Sequence, residues 1–257
     1  MTTFVSADWV AERIENPEFL VIDTRYSMRH LMGHLKAAVN VPPPKLRDSQ
    51  GQLLPPEDFS QLFGAAGLGD GLTPVLYDGY DGRNSAMVAW VLEYLGRDDV
   101  HILDIVYDEW KSQGREVLYR PVPRIQRQFT PKVNPAVRAS LDEVSKAEGL
   151  QLVDTRTVDE YNGQSEADDK PGHIPGAVSV VWQEMVGEDG MLVCSEEKAR
   201  RIFEAASIKP SDPVVTYCKI GARAAVGYLA FKRLGYDVRL FDGSYAEWEK
   251  SDLPVEL

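Results

Sequence analysis

FLVIDTR, residues 19–25, returns at 150–156 as LQLVDTR. The match is one of a series. GHLKAAVNV (33–41) returns as GHIPGAVSV (172–180), PVLYD (74–78) as PVVTYC (213–218), and YDEW (107–110) as YAEW (245–248). The blocks keep their order, and their offsets lie between 131 and 139 residues. That period is too long for a solenoid repeat and is the size of a domain, so the chain reads as one domain duplicated.

The blocks also carry the secondary structure. FLVID, PVLYD and VHILD in the first half, and QLVD, PVVTYC and VRLFD in the second, are short runs of nearly continuous apolar residues. Parallel strands covered on both faces require such runs. Between them, SAMVAWVLEYLG (85–96) and ARAAVGYLAFKRLG (222–235) read as amphipathic helices, each stopped by a glycine at its end. SLDEV (140–144) is a capping box, with Ser140 as N-cap and Glu143 three residues on. Alternating strand and helix predicts an α/β fold with a parallel sheet flanked by helices in each half. The segment RPVPRIQRQFTPKVNPAV (120–137), with four prolines, reads as an extended linker. The expected domains are therefore residues 1–119 and 138–257.

Composition removes several classes of function. Forty acidic residues against 28 basic ones give a net charge of −12, which argues against non-specific nucleic-acid binding. No apolar run reaches the ~18 residues of a membrane helix. The first residues show neither the basic start nor the apolar core of a secretory signal, so a cytoplasmic location is expected. Two cysteines, Cys194 and Cys218, do not make a disulfide framework and suit a reducing compartment. HLMGH (30–34) has the two-histidine spacing of a zinc helix, but Leu31 stands where the general-base glutamate belongs, so no metal site is expected. GLGDG (67–71) precedes a strand instead of following one and reads as a turn, so no cofactor site is expected there.

One loop carries chemistry. In TYCKIGARA (216–224), Cys218 ends an apolar strand just before a helix, beside Lys219 and Arg223. A thiol there is a small core residue, a metal ligand or a nucleophile. Free backbone N–H groups at a helix start favour negative charge, and a short loop with Gly221 can curl several of them inward. The two cations add to that field. Such surroundings favour a thiolate and a bound anion, which supports the nucleophile. Cys194 sits beside Glu196 and Glu197, which disfavour a thiolate, and reads as a core residue.

The pattern DTR…GHIPGAVSV…TYCKIGARA…YAEW resembles the two-domain rhodaneses, the thiosulfate sulfurtransferase family, over nearly the whole chain. The resemblance implies tandem rhodanese-like domains, of which only the second carries the loop cysteine. It implies that Cys218 takes the outer sulfur of a donor such as thiosulfate as a persulfide and passes it to cyanide or a thiol. The loop residues Lys219, Ile220, Gly221, Ala222 and Arg223 would hold the donor anion. Asp78 stands in place of the cysteine in the first half, which is expected to be inactive and to buttress the second. Arg83 reads as a solvated surface residue. Asp154 and Arg156, recurring as Asp23 and Arg25, and His173, recurring as His34, read as structural, with the Asp–Arg pair anchoring the loop.

Three readings compete. The two loop cations suit dianionic thiosulfate. A 3-mercaptopyruvate sulfurtransferase in this family has glycine and threonine where Lys219 and Arg223 stand. Departures from the thiosulfate pattern are Lys219 in place of arginine and Glu160 where many members carry a substrate-binding arginine. A cysteine phosphatase of this fold uses a longer C-x5-R loop, whereas Cys218 and Arg223 make C-x4-R. A non-catalytic regulatory module would not need the cysteine.

Overall fold

The computed structural model describes residues 2–257, which fall into two compact units. The first runs to Asn134 and also takes in Glu188–Leu192; the second is Pro135–Gly187 with Val193–Leu257.

Each unit is built on a parallel sheet, as the apolar runs require. In the first, the strand order is Thr3–Val5, His101–Leu103, Thr73–Tyr77, Phe19–Asp23 and Val39–Asn40, with every neighbouring pair parallel. In the second it is Val238–Leu240, Val214–Tyr217, Gln151–Asp154 and Val178–Ser179, again all parallel. The registers agree: Asp23 faces Tyr77 in one sheet and Asp154 faces Tyr217 in the other. The first unit's extra edge strand, Thr3–Val5, has its counterpart in a single parallel bridge from Arg138 to Leu240.

The two long helices form where the sequence places them, Arg83–Tyr94 and Ala222–Arg233. Each is entered through a glycine of positive φ (Gly82, +76°; Gly221, +96°), a conformation that a side chain would strain. Leu95 and Leu234 follow, and then Gly96 and Gly235, both also at positive φ, close the ends. Both helices depart from the amphipathic expectation, since every residue from Ser85 to Glu93 in the first and from Ala224 to Phe231 in the second is buried. The sheet covers one side of the second, and the helix Glu196–Ala205 and the turn Trp182–Met185 cover others. Phe203 stacks on Phe231 at 3.7 Å. Its many alanines, with Gly227, permit that close approach.

Of the stretch 120–137, expected as linker, residues 120–134 form neither helix nor strand and belong to the first unit, while Pro135–Val137 form a 3-10 turn of the second. Phe129 is buried against Phe63, and the Lys132 N–H donates to the Leu95 carbonyl at 2.8 Å.

The capping box opens the helix Leu141–Lys146. Ser140 Oγ accepts from the Glu143 N–H, and Glu143 Oε2 accepts from the Ser140 N–H and hydroxyl at 2.8 Å each. These bonds to Ser140, backbone first, hold the Glu143 carboxyl at about 2. Ser140→Ala is expected to cost about 1 kcal/mol at neutral pH, read by urea unfolding. The box is complete above the carboxyl's ordinary 4.5, and its contribution fades as pH falls from there towards 2. The gap between the native chain and the variant should close over that range.

Candidate active site

Val214–Tyr217 is buried at all four positions, and the chain leaves its end at Cys218, also fully buried. A loop then turns back through Gly221 into the helix Ala222–Arg233. The turn aims the Gly221 N–H at the Cys218 sulfur, 3.1 Å away. The Cys218 N–H donates to Ser244 Oγ at 3.3 Å. The Tyr245 and Ala246 N–H groups donate to the carbonyls of Cys218 and Lys219, tying the loop to the start of the helix Ser244–Trp248. The loop is therefore fixed from behind as well as by its own curl.

The expected cations are both at the loop, but neither is unpaired. Arg223 gives Nη1 to Glu160 Oε2 at 2.6 Å and Nη2 to Glu160 Oε1 at 2.8 Å, a two-pronged pair. Burial works against its charge, yet the bonds to Glu160, with Cys218 next, raise its pKa above the usual arginine range. Burial likewise disfavours the Glu160 carboxylate, but Arg223 and then Thr157 outweigh it and hold the carboxyl at about 2. Lys219 Nζ reaches Asp168 Oδ1 at 2.7 Å and the two Glu249 oxygens at 2.7 and 2.8 Å. Desolvation pulls its pKa down and these two carboxylates more than restore it, so it stays charged. Of the other loop residues, Ile220 is exposed, and Ala222 is half-buried at the start of the helix.

Beneath the loop lies the recurring Asp–Arg pair. Arg156, with no exposed surface, binds Asp154 at 2.7 Å, Asp168 at 3.0 Å and the Gly172 carbonyl at 2.8 Å. Its guanidinium lies 3.8 Å from the centre of the Tyr245 ring. Asp168 offers one oxygen to Arg156 and the other to Lys219, so the pair reaches the loop through a residue that sequence reasoning missed. Asp168 sits in the polar run SEADDK, which has no periodicity to mark it. Glu249 and Ser244 were missed as well; only Tyr245, inside the repeated YAEW, had a signal, and that signal reads as structural. His173 stacks on Tyr161 at 3.7 Å and bonds its carbonyl.

The first unit shows what the same turn does with a carboxylate. Asp78 is buried and accepts from the N–H groups of Gly79 (2.6 Å), Asn84 (2.9 Å) and Ser85 (3.4 Å), and from the Asn84 side-chain amide. Burial pushes its pKa up despite those bonds, and the charge of Asp81 adds to the push. The carboxylate occupies the donors that an outside anion would need. Arg83 pairs with Asp81 at 2.7 Å.

Cys194 is buried away from this loop, its N–H on the Met185 carbonyl at 3.0 Å. His30 binds Asp23 at 2.9 Å and stacks on His34 at 4.0 Å. Among the described residues no three histidine, cysteine or acidic side chains are grouped to hold a metal ion. No helix of the described residues is long and apolar enough to cross a membrane. The arrangement at Cys218 is a sulfur at a strand-to-helix turn, with a backbone donor and a guanidinium beside it. Those are the surroundings in which a thiolate acts as a nucleophile.

Known proteins share this architecture. A relative from Synechococcus elongatus, provisionally named a thiosulfate sulfurtransferase, is 33% identical over 98% of this chain and 84% of its own length. A thiosulfate sulfurtransferase from Corynebacterium glutamicum is 30% identical over 98% of this chain and 89% of its own. The crystal structure of SseA from Escherichia coli, described as a 3-mercaptopyruvate sulfotransferase, superposes with a TM-score of 0.85 at 27% identity, covering 95% of this chain and 99% of that one. The rhodanese-like domain model matches twice, at residues 6–113 and 137–251. With two matched copies spanning most of its length, the chain belongs to the rhodanese-like family.

Proposed function

We propose that this chain is a sulfurtransferase that moves a sulfane sulfur from thiosulfate to cyanide or a thiol through a persulfide on Cys218. The observation that carries the reading is the Gly221 N–H directed at the buried Cys218 sulfur across a loop entered from a parallel strand. The thiolate attacks the outer sulfur of the donor, the donor's S–S bond breaks, and sulfite leaves with the electron pair. The acceptor then takes the outer sulfur and restores the thiolate. Gly221 and Arg223 stabilise the sulfur between these steps, and the loop residues Lys219 to Ala222 are assigned to the incoming donor.

The relatives' names support thiosulfate as the donor. A specific observation favours the second reading, 3-mercaptopyruvate: the cations that suited a dianion are bound to Glu160, Asp168 and Glu249. A phosphatase would need the guanidinium that Glu160 engages.

Incubation with excess thiosulfate or 3-mercaptopyruvate, followed by mass spectrometry of the intact chain and its peptides, tests the reading. One added sulfur on the peptide containing Cys218, removed by cyanide, is the expected result. No gain with either donor, or a gain on Cys194, overturns it.

A further inference from the structure

The charges around Cys218 are balanced in an unexpected way. Lys219, Arg223 and Arg156 face four carboxylates, those of Glu160, Asp168, Glu249 and Asp154, all within 3.0 Å ion pairs. Lys219 has three N–H donors, and its three close contacts are all to carboxylate oxygens. Arg223 commits both terminal nitrogens to Glu160. Glu160 is itself fixed from behind, because its Oε2 also accepts from the Thr157 N–H at 3.0 Å and hydroxyl at 2.9 Å. It cannot swing away without also losing the cap of its own helix, Val158–Tyr161.

The repeat sharpens the point. Counting from the shared DTR, Glu160 stands where the first unit has Arg29, and counting from the shared YxEW, Glu249 stands where it has Lys111. The second unit thus carries carboxylates at the two positions where the cysteine-free unit carries cations.

We infer that Glu160 is a specificity-determining residue that sets the charge preferred in the donor: thiosulfate remains a donor, at a penalty that sulfane donors of single negative charge do not bear in full. The inference rests on the reading that Cys218 carries the sulfur. The donor class it names is the organic thiosulfonate, R–SO2–S⁻, or another sulfane donor of equal charge. The Cys218 thiolate forms a bond to the donor's outer sulfur, the bond between that sulfur and the sulfonyl sulfur breaks, and a sulfinate departs with the electron pair. One negative charge enters and one leaves, and no proton, oxidant or reductant is needed. Thiosulfate follows the same course but carries a second charge past the fixed carboxylates. Coulomb repulsion scales with that charge, so Glu160 penalises thiosulfate about twice as much in free energy as the thiosulfonate.

Thiosulfate and methanethiosulfonate are a matched pair of probes, alike in the reacting S–S bond and different by one charge. The variant is Glu160→Gln, since glutamine retains the capping box while losing the charge. The ratio of kcat/KM for thiosulfate to that for methanethiosulfonate is expected to rise by about tenfold or more. The gain should come through the thiosulfate KM and should shrink at high ionic strength. A glutamate that serves only as a cap leaves that ratio unmoved. Should Glu160→Gln fail to fold, Glu249→Gln removes another of the fixed carboxylates, leaves Lys219 bound to Asp168, and reads the same ratio. A ratio unchanged in the folded variant overturns the inference while leaving the Cys218 persulfide intact. Failure of both donors to add sulfur to native Cys218 instead overturns the sulfurtransferase reading beneath it.

Discussion

Cys218→Ser abolishes donor-dependent thiocyanate formation, with a loss of roughly a thousandfold or more and no sulfur gained in the mass of the protein. The size of the loss follows from covalent catalysis. A serine hydroxyl in the same turn keeps the Gly221 N–H and the Arg223 guanidinium, but oxygen cannot form the chalcogen–sulfur intermediate under these conditions. Binding survives and turnover does not. Fold is not the cause, because the swap keeps a small side chain that can accept the Gly221 bond now made to sulfur. Cys194→Ser is the control. That residue is also buried, so the hydroxyl costs on the order of 1 kcal/mol of stability. Its loop is elsewhere, however, and turnover persists. If Cys194→Ser were the silent enzyme and Cys218→Ser the active one, the nucleophile would have been misassigned.

How much of this was written in the sequence depends on the range over which a residue acts. The parallel strands were readable because burial on both faces demands unbroken apolar runs, and VVTY is such a run. The glycines at 221 and 235 were readable because few other residues accept their positive φ. The duplication was readable because both units solve the same packing problem with the same Asp–Tyr register. The charge state of the loop was not. Lys219 and Arg223 looked available because their partners lie 51, 30 and 63 residues away along the chain, in a polar run, just past the end of one short helix and on another. Nothing in SEADDK says which acid turns inward. Glu160 was visible only as an oddity, and its meaning required seeing Arg223 gripped by both of its oxygens. The stretch 120–134 was legible as extended but not as attached, since prolines disclose backbone shape while Phe129 alone hints at burial.

Arg156→Met is the substitution with the largest expected effect on stability, a loss of about 3–5 kcal/mol in urea unfolding. Methionine has a comparable length and fills the space, so the cost is not a cavity. What is lost is the partner of two carboxylates, those of Asp154 and Asp168, neither of them solvated. Desolvation by burial opposes the charge of Arg156 itself, yet its pKa lies above the ordinary arginine value because Asp154 binds it so closely. Without it, two buried carboxylates at the end of the strand lose the cation they share. Arg25→Met in the first unit gives a smaller loss. There Asp23 keeps the His30 ring at 2.9 Å and the Tyr77 hydroxyl at 2.7 Å after the guanidinium has gone. The second unit offers Asp154 no such histidine, because Tyr161 stands at that place in the repeat and stacks on His173 instead. Asp168 also loses its anchor in Arg156→Met and with it the fixed hold on Lys219, so turnover should fall alongside stability. Equal losses in the two units would mean that His30 contributes nothing to Asp23. A loss below about 1 kcal/mol for Arg156→Met would mean that water reaches this pair, contrary to its complete burial.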